Sequence, residues 1–491
     1  MTRRWGVTVV VVLLAVLGMP HVQATPHTEA PALPAPFAGW NVAVEQGADA
    51  HVQWVSFDSP LLARRVTMRV VLPDAYFGAA AALPVVYYLH GTIRIGTDPA
   101  IDGLADQLAA AGLDLGYPFG SGTAHNEAGW LAAEASRLQF VVVSPDAEVD
   151  DPWCEHCAWV NGLGGVGVAA ESHLYDEVMP LAEAMYRIRS DRAGRGIMGA
   201  SMGAGGALAQ ATRHPDRFAV VAALSPPIDY LYDTPYADFL AFLYLREQGY
   251  PQSKLDPMAT RAINAADLLS TLRGENIDTI ITVGEGCVAG AASPECQQTS
   301  ALDQPIDAFQ EIFIRHNLDL VVPRAIAAGV PVSYITYSGV HFIPNHEVFN
   351  RYLLDRINHD FATGAPVPVS VTYRSGDPQI SVWGYQMSID RPNQEFVTVD
   401  LRTDGTAINV TGSGTMVLTT PAVFAPGSTH TVAVVPSDAA RPESHGAVVA
   451  DSAGRIHVTV NLGPTHLLDE QPAISALGLF GSPQTRIAIL D

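Results

Sequence analysis

The sequence predicts an α/β protein with a mostly parallel sheet, continued by a smaller all-β unit. Three observations lead there. Between residues 53 and 361, short and nearly unbroken apolar runs alternate with segments of helical period, the pattern of strands buried on both faces by crossover helices. Residues 362–368 read Ala-Thr-Gly-Ala-Pro-Val-Pro, a composition that suits a linker. Beyond them, apolar and polar residues alternate in short stretches broken by Gly, Pro and Ser, which points to an antiparallel sandwich over residues 369–491.

At the start of the chain, Arg3 and Arg4 precede an apolar run over residues 7–17 and the small-residue ending Val22-Gln-Ala24. The run is shorter than the roughly 20 residues a spanning helix needs, so residues 1–24 are expected to be a secretory signal peptide. The mature protein is then expected outside the cytoplasm, extracellular or in a bacterial cell envelope, with no membrane span. In the first unit, 25–361, strands are expected at 66–72, 84–89, 140–144, 196–198, 220–224, 279–283 and 332–336. Helices are expected among them at 172–188, 202–214, 239–248, 261–272, 307–328 and 347–358. In the second unit the strand candidates are 380–389, 396–401, 407–418, 429–435 and 455–462.

Charge narrows the partners. Lys and Arg number 27 against 50 Asp and Glu, a formal charge of −23, so the chain has no electrostatic footprint for nucleic acid or an anionic membrane. The four cysteines fall into two local pairs, Cys154 with Cys157 and Cys287 with Cys296. In an exported chain these are expected to form two short-loop disulfides. A zinc site would need knuckle spacing in the second pair, which is too wide, so no metal is expected.

The chemistry is carried by Gly199-Ala-Ser201-Met-Gly203. This G-x-S-x-G run follows an apolar strand and opens a helical segment, which is the context of a nucleophile elbow. Ser201 is therefore the candidate nucleophile, and the N–H of Met202 at the helix start a candidate oxyanion donor. The second donor is expected from the loop after the strand that ends in His90-Gly91, at the N–H of Thr92. His341, just after the strand at 332–336 and preceded by Gly339-Val340, is the candidate base in the chain order Ser, acid, His. Four carboxylates compete for the acid: Glu285, Asp303, Asp307 and Glu311. Position alone favours Glu285, directly after the strand at 279–283, whereas Glu311 could be spent on a surface pair with Arg315 four residues on.

These residues together resemble a known group. Gly199-Ala-Ser201-Met-Gly203, then Ala207-Leu208, His214-Pro-Asp-Arg-Phe218 and Ala223-Leu-Ser225, resemble the esterase-D-like superfamily of S-formylglutathione hydrolases, feruloyl esterases and actinobacterial mycolyltransferases. The resemblance covers about residues 66 to 354. It implies an α/β-hydrolase fold, a serine–acid–histidine triad, no metal or organic cofactor, and an ester substrate. In the acid region Glu311-Ile-Phe-Ile-Arg315, Ala328-Gly-Val330 and Gly339-Val-His341 are most similar to the mycolyltransferase branch. That similarity implies Glu311 as the acid, with Asp307 (the aspartate of an esterase-type D-x-F pattern) second and Glu285 third, and it also implies a disulfide near Cys154 and Cys157. His341 is followed by Phe-Ile-Pro-Asn, where that branch carries a nearby tryptophan. The functional expectation is a secreted serine ester hydrolase working through an acyl-enzyme. The alternatives are transfer of the acyl group to a sugar hydroxyl and, from a different class, a non-catalytic secreted protein that binds a polymer or cell wall.

Overall fold

The structure is a computed structural model of the 491-residue chain. It describes residues 33–47, 49–78, 80–91, 131–146, 153–154, 156–232, 236–251, 258–286, 304–341, 345–465 and 484–490. The expected signal peptide, Thr92, Asp303, Cys287 and Cys296 lie outside these residues. Among the described residues, no helix is long and apolar enough to cross a membrane.

Nine strands form the first sheet: β1 Ala43–Gln46, β2 Val52–Ser59, β3 Arg64–Val71, β4 Val85–Leu89, β5 Val141–Ser144, β6 Arg195–Ala200, β7 Val220–Leu224, β8 Asp278–Gly284 and β9 Val332–Tyr337. Their spatial order is β1-β2-β3-β5-β4-β6-β7-β8-β9. From β5 across to β9 every pairing is parallel, while β1, β2 and β3 extend the sheet antiparallel. Each of the seven apolar runs read from the sequence is a strand of this sheet. Strands β1 and β2 were not among them, because their alternating, half-exposed residues lack the continuous apolar signal of strands covered on both faces. β4, β5 and β7 are buried at every residue, and two apolar layers pack against the sheet, one around Val85, Tyr87 and Leu89 and the other around Val86, Tyr88 and Val142.

Helix α1 runs from Ala170–Ser172 through a widened turn at His173–Val178 into Met179–Met185. Helix α2 is Met202–Arg213, α3 joins Tyr236–Leu240 to Ala241–Leu245, α4 is Gln304–Ala327, and α5 joins Asn345–Val348, Phe349–Leu353 and Leu354–Thr363. The helix expected at 261–272 is broken into short turns at Met258–Arg261, Ala265–Leu268 and Leu269–Leu272. The cause is the buried Asn264, whose amide accepts from the Tyr230 N–H (3.0 Å) and donates to the Asp267 carboxylate (2.9 Å). Those bonds offer the chain an alternative to continuing the helix.

Among the described residues the second unit is all antiparallel: a six-stranded sheet ordered β10-β13-β14-β19-β16-β17 faces a four-stranded one ordered β11-β12-β15-β18. The strands are β10 Ser370–Ser375, β11 Gln379–Val382, β12 Tyr385–Asp390, β13 Val397–Arg402, β14 Ala407–Thr411, β15 Gly414–Thr419, β16 Thr429–Pro436, β17 Ser444–Val449, β18 His457–Gly463 and β19 Gln484–Leu490. Both sheets turn alternate residues into one core, Val399 and Val410 meeting Met387 and Leu418. Two single strands expected from the sequence are pairs. Residues 380–389 fold back at Trp383-Gly384, both at positive φ (49° and 79°), the backbone of a two-residue hairpin turn. Residues 407–418 divide between β14 and β15.

This unit is seated on the first. The Trp383 N–H and indole N–H donate to Asp216 and Glu275, each at 2.9 Å. The Tyr373 hydroxyl donates to the carbonyl of Arg213 at 2.9 Å, satisfying one of the orphan carbonyls at the end of α2.

Candidate active site

The elbow after β6 is built by steric necessity. Ser201 has φ 52° and ψ −120°, a conformation that an L side chain adopts only when its surroundings impose it. A Cβ at Gly199 would overlap the backbone of Gly203, and one at Gly203 would overlap the carbonyls of Leu89 and His90. The two glycines of the motif are thus required by backbone passing backbone. Ser201 is fixed by N–H donation to Leu224 O (2.9 Å) and by accepting the Gly205 N–H (3.0 Å). Met202 opens α2, in which eleven of twelve residues are buried. The helix gets that close to the sheet because Gly205 and Gly206 pack on Pro227 and the Trp159 ring.

The structure brings Ser201, His341 and Glu311 together. His341 Nε2 lies 2.8 Å from Ser201 Oγ, and Nδ1 lies 2.8 Å from Glu311 Oε2. His341 is 6% exposed and Glu311 is 0% exposed. A carboxylate buried this deeply must be compensated by hydrogen bonds. Glu311 Oε1 accepts the Ser225 hydroxyl at 2.6 Å and the Gly284 N–H. Ser225, directly after β7, also has φ 52°, and its N–H donates to Thr282 O at 2.8 Å. Neither Ser225 nor Gly284 was singled out for the site from the sequence. A signal was present in the equivalent positions of Ser201 and Ser225 beyond two adjacent strands, but only the register of β6 against β7 (Ala200 opposite Leu224) makes them neighbours.

Glu285, which chain position favours, is not in this relay. Its side chain is exposed and pairs with Arg315 at 3.2 Å. Arg315 also bonds Asp319 at 2.9 Å, so the surface pair imagined between Glu311 and Arg315 is replaced by pairs of Arg315 with its other carboxylate neighbours. Asp307 lies on α4, one turn before Glu311; its side chain lies outside the described residues. Cys154 and Cys157 are joined in a disulfide. Their loop is packed beside β4, where Trp159 Nε1 donates to His90 O at 3.1 Å.

A mostly parallel sheet with a serine elbow, an imidazole and a buried carboxylate at its C-terminal edge defines a class of covalent acyl-transfer site. Residues 59–237 match the Esterase family model, described as a putative esterase. The matched stretch holds Ser201 and ends before Glu311 and His341, so those two are placed by the geometry alone. Solved structures similar to the chain include a ferulic acid esterase (20% identity, covering 62% of this chain and 96% of that one, TM-score 0.36). They also include the S-formylglutathione hydrolase of Agrobacterium tumefaciens (16% identity, 65% and 98%, TM-score 0.39). A third is MPT51 (FbpC1) of Mycobacterium tuberculosis (17% identity, 64% and 98%, TM-score 0.37). No curated protein sequence matches the chain.

Proposed function

We propose that the protein is a secreted serine ester hydrolase of the α/β-hydrolase type, with residues 1–24 as signal peptide, 25–361 as catalytic unit and 369–491 as a β-sandwich joined through 362–368. The observation that carries this reading is the Ser201–His341–Glu311 relay, with both links at 2.8 Å, at an elbow whose backbone is held at positive φ. His341 donates from Nδ1 to Glu311, leaving Nε2 to accept the Ser201 proton as Oγ attacks the ester carbonyl. The charge on the tetrahedral oxygen is received by the N–H groups of Met202 and Thr92. His341 then protonates the leaving alcohol, and water releases the acid from the acyl-enzyme.

Acyl transfer to a sugar hydroxyl is the second reading. It is favoured by the carboxylate that meets His341: Glu311, in the E-x-x-x-R stretch of the mycolyltransferase pattern, whereas the esterase pattern implies Asp307. Both readings share the first half-reaction. Intact-mass spectrometry of wild type and Ser201→Ala after a p-nitrophenyl ester and a fluorophosphonate tests it. The reading expects one adduct on wild type alone with nitrophenol release; no adduct on either protein would overturn it and favour a polymer- or wall-binding protein. Adding an acceptor sugar during turnover then separates hydrolysis from transfer by the products formed.

A further inference from the structure

The buried face of α4 carries Ile314, Leu318 and Val322, and with them two polar residues, Glu311 and Asn317, both 0% exposed. Glu311 is accounted for by the relay already described. Asn317 stands six residues, about 9 Å of helix, farther on, and a buried amide costs free energy unless its bonds are made. Its Oδ1 accepts the N–H groups of Ile228 and Asp229, each at 3.2 Å, and its Nδ2 donates to the Asp229 carbonyl at 3.3 Å.

Those bonds complete the backbone pairing of the chain that leaves β7. The Ser225 N–H goes to Thr282 O. Pro226 and Pro227 have no N–H to give, so Ile228 and Asp229 carry the next two donors, and Asn317 takes both. Oδ1 of Asp229 then accepts the Leu231 N–H at 2.9 Å and the Asn264 amide at 3.2 Å, which holds the far end. The Pro227 carbonyl also packs on Gly205 of α2, where a Cβ would stand 2.5 Å from the oxygen. Residues 225–229 therefore form a strap that contacts both the nucleophile helix and the helix carrying Glu311.

The strap fastens α4 at two points: Ser225 Oγ on Glu311 Oε1 (2.6 Å), and the two backbone donors on Asn317. The rest of that helix face is apolar, and apolar burial has no direction. A slide of one residue along α4 is about 1.5 Å, enough to part a carboxylate from an imidazole nitrogen that it meets at 2.8 Å.

We propose that Asn317 is a positioning residue for the triad acid, pinning α4 to the 225–229 strap so that the Glu311 carboxylate stands at His341 Nδ1. The buried amide meets no substrate and acts through the helix that carries the acid. The inference rests on the ester-hydrolase reading above.

The test uses the full mature chain, with kcat expressed per Ser201 titrated by fluorophosphonate. Asn317→Ala is expected to lower kcat by about 10–100-fold with KM within about threefold, since misplacing a reacting group by about 1 Å costs on that order. A second readout needs no turnover. The downfield proton resonance of the His341 Nδ1–H, identified by its absence in His341→Ala, should move upfield or vanish in Asn317→Ala. Val322→Ala opens a cavity on the same helix face, more than one turn beyond Asn317. It should lose thermal stability yet keep the kcat and the resonance of wild type. Asn317→Ala with kcat within about twofold of wild type and an unmoved resonance, or Val322→Ala with the same losses as Asn317→Ala, overturns the proposal. Asn317→Ser, which keeps an oxygen for the donors, carries the same test should Asn317→Ala not fold, with a fall of about 3–10-fold. Wild type that neither turns over ester nor takes up fluorophosphonate would instead overturn the ester-hydrolase reading, and the resonance would still decide whether Asn317 sets the contact of Glu311 with His341.

Discussion

The turns after β6 and β7 leave neighbouring strands of one sheet, and each begins with a serine at φ 52°. Ser201 is backed by a helix that starts at once and faces His341, whereas Ser225 leads into irregular chain and faces Glu311. The same residue type in the same strained backbone thus meets opposite partners. An imidazole nitrogen can take a proton from a hydroxyl, and Ser201 Oγ is placed for attack. A carboxylate already committed to His341 can only receive a hydrogen bond, and Ser225 Oγ is placed to steady it. Local backbone geometry presents a hydroxyl, and what packs opposite decides whether it reacts or supports.

That contrast can be broken by substitution. Ser201→Ala is expected to lower ester kcat by roughly 10⁴–10⁶-fold with the fold intact by circular dichroism, since the nucleophile and its base act as a unit. Retained turnover would mean that the hydroxyl after β6 is no more reactive than the one after β7. Glu311→Gln comes next, with a drop of about 10²–10⁴ in kcat, because an amide holds the imidazole in the wrong tautomer while preserving shape. The same change at Glu285, which is exposed and paired with Arg315, should leave kcat within about twofold, as expected of a surface pair; steady-state kinetics of both variants checks the assignment.

Ser225→Gly sharpens the comparison further. Glycine accepts φ 52° without strain, so thermal stability should hold or rise while the Glu311 hydrogen bond is lost. A loss of one bond to a charged group predicts about a tenfold fall in kcat. Unchanged kcat would show that the second turn is scaffolding alone.

The smallest effect is expected far from both turns, where the β unit meets the unit built on the nine-stranded sheet. Burial pushes the Glu275 carboxyl up to about 8, against the opposing hydrogen bond from Trp383 and the charge of Arg192. An acid whose folded value lies above its unfolded value contributes stability below the unfolded value, about 4.5, and that contribution is lost as pH rises toward 8. Thermal unfolding of wild type should therefore weaken between pH 5 and 8 by more than that of Glu275→Gln, with ester kcat equal in the two. Parallel melting curves across that range would remove Glu275 as the source.

Much of the first sheet was legible in the chain because its information is local. A buried parallel strand reads as an apolar run, and the elbow reads as glycines at fixed spacing, since only neighbouring backbone has to pass. The antiparallel strands β1 and β2 escaped because a half-exposed strand lacks that run. The break at Asn264 escaped because its amide bonds Tyr230, 34 residues away, which no helical period reveals. The tight hairpin of β11 and β12 was read as a single strand because Trp383-Gly384 interrupts the alternation by only two residues.

The sequence by itself determined the chemistry on offer: a serine on a glycine-flanked elbow, a histidine after a late strand, several carboxylates, and an acidic chain unsuited to polyanions. Tertiary structure decided which carboxylate meets the histidine, that Ser225 and Gly284 stand behind it, and that Asn317 finds the Asp229 N–H across 88 residues of chain. The physical reason is range. Steric and periodic signals are set by adjacent residues, whereas the hydrogen-bond partner of a buried charge is set by strand order and register, which bring distant segments to one edge of the sheet.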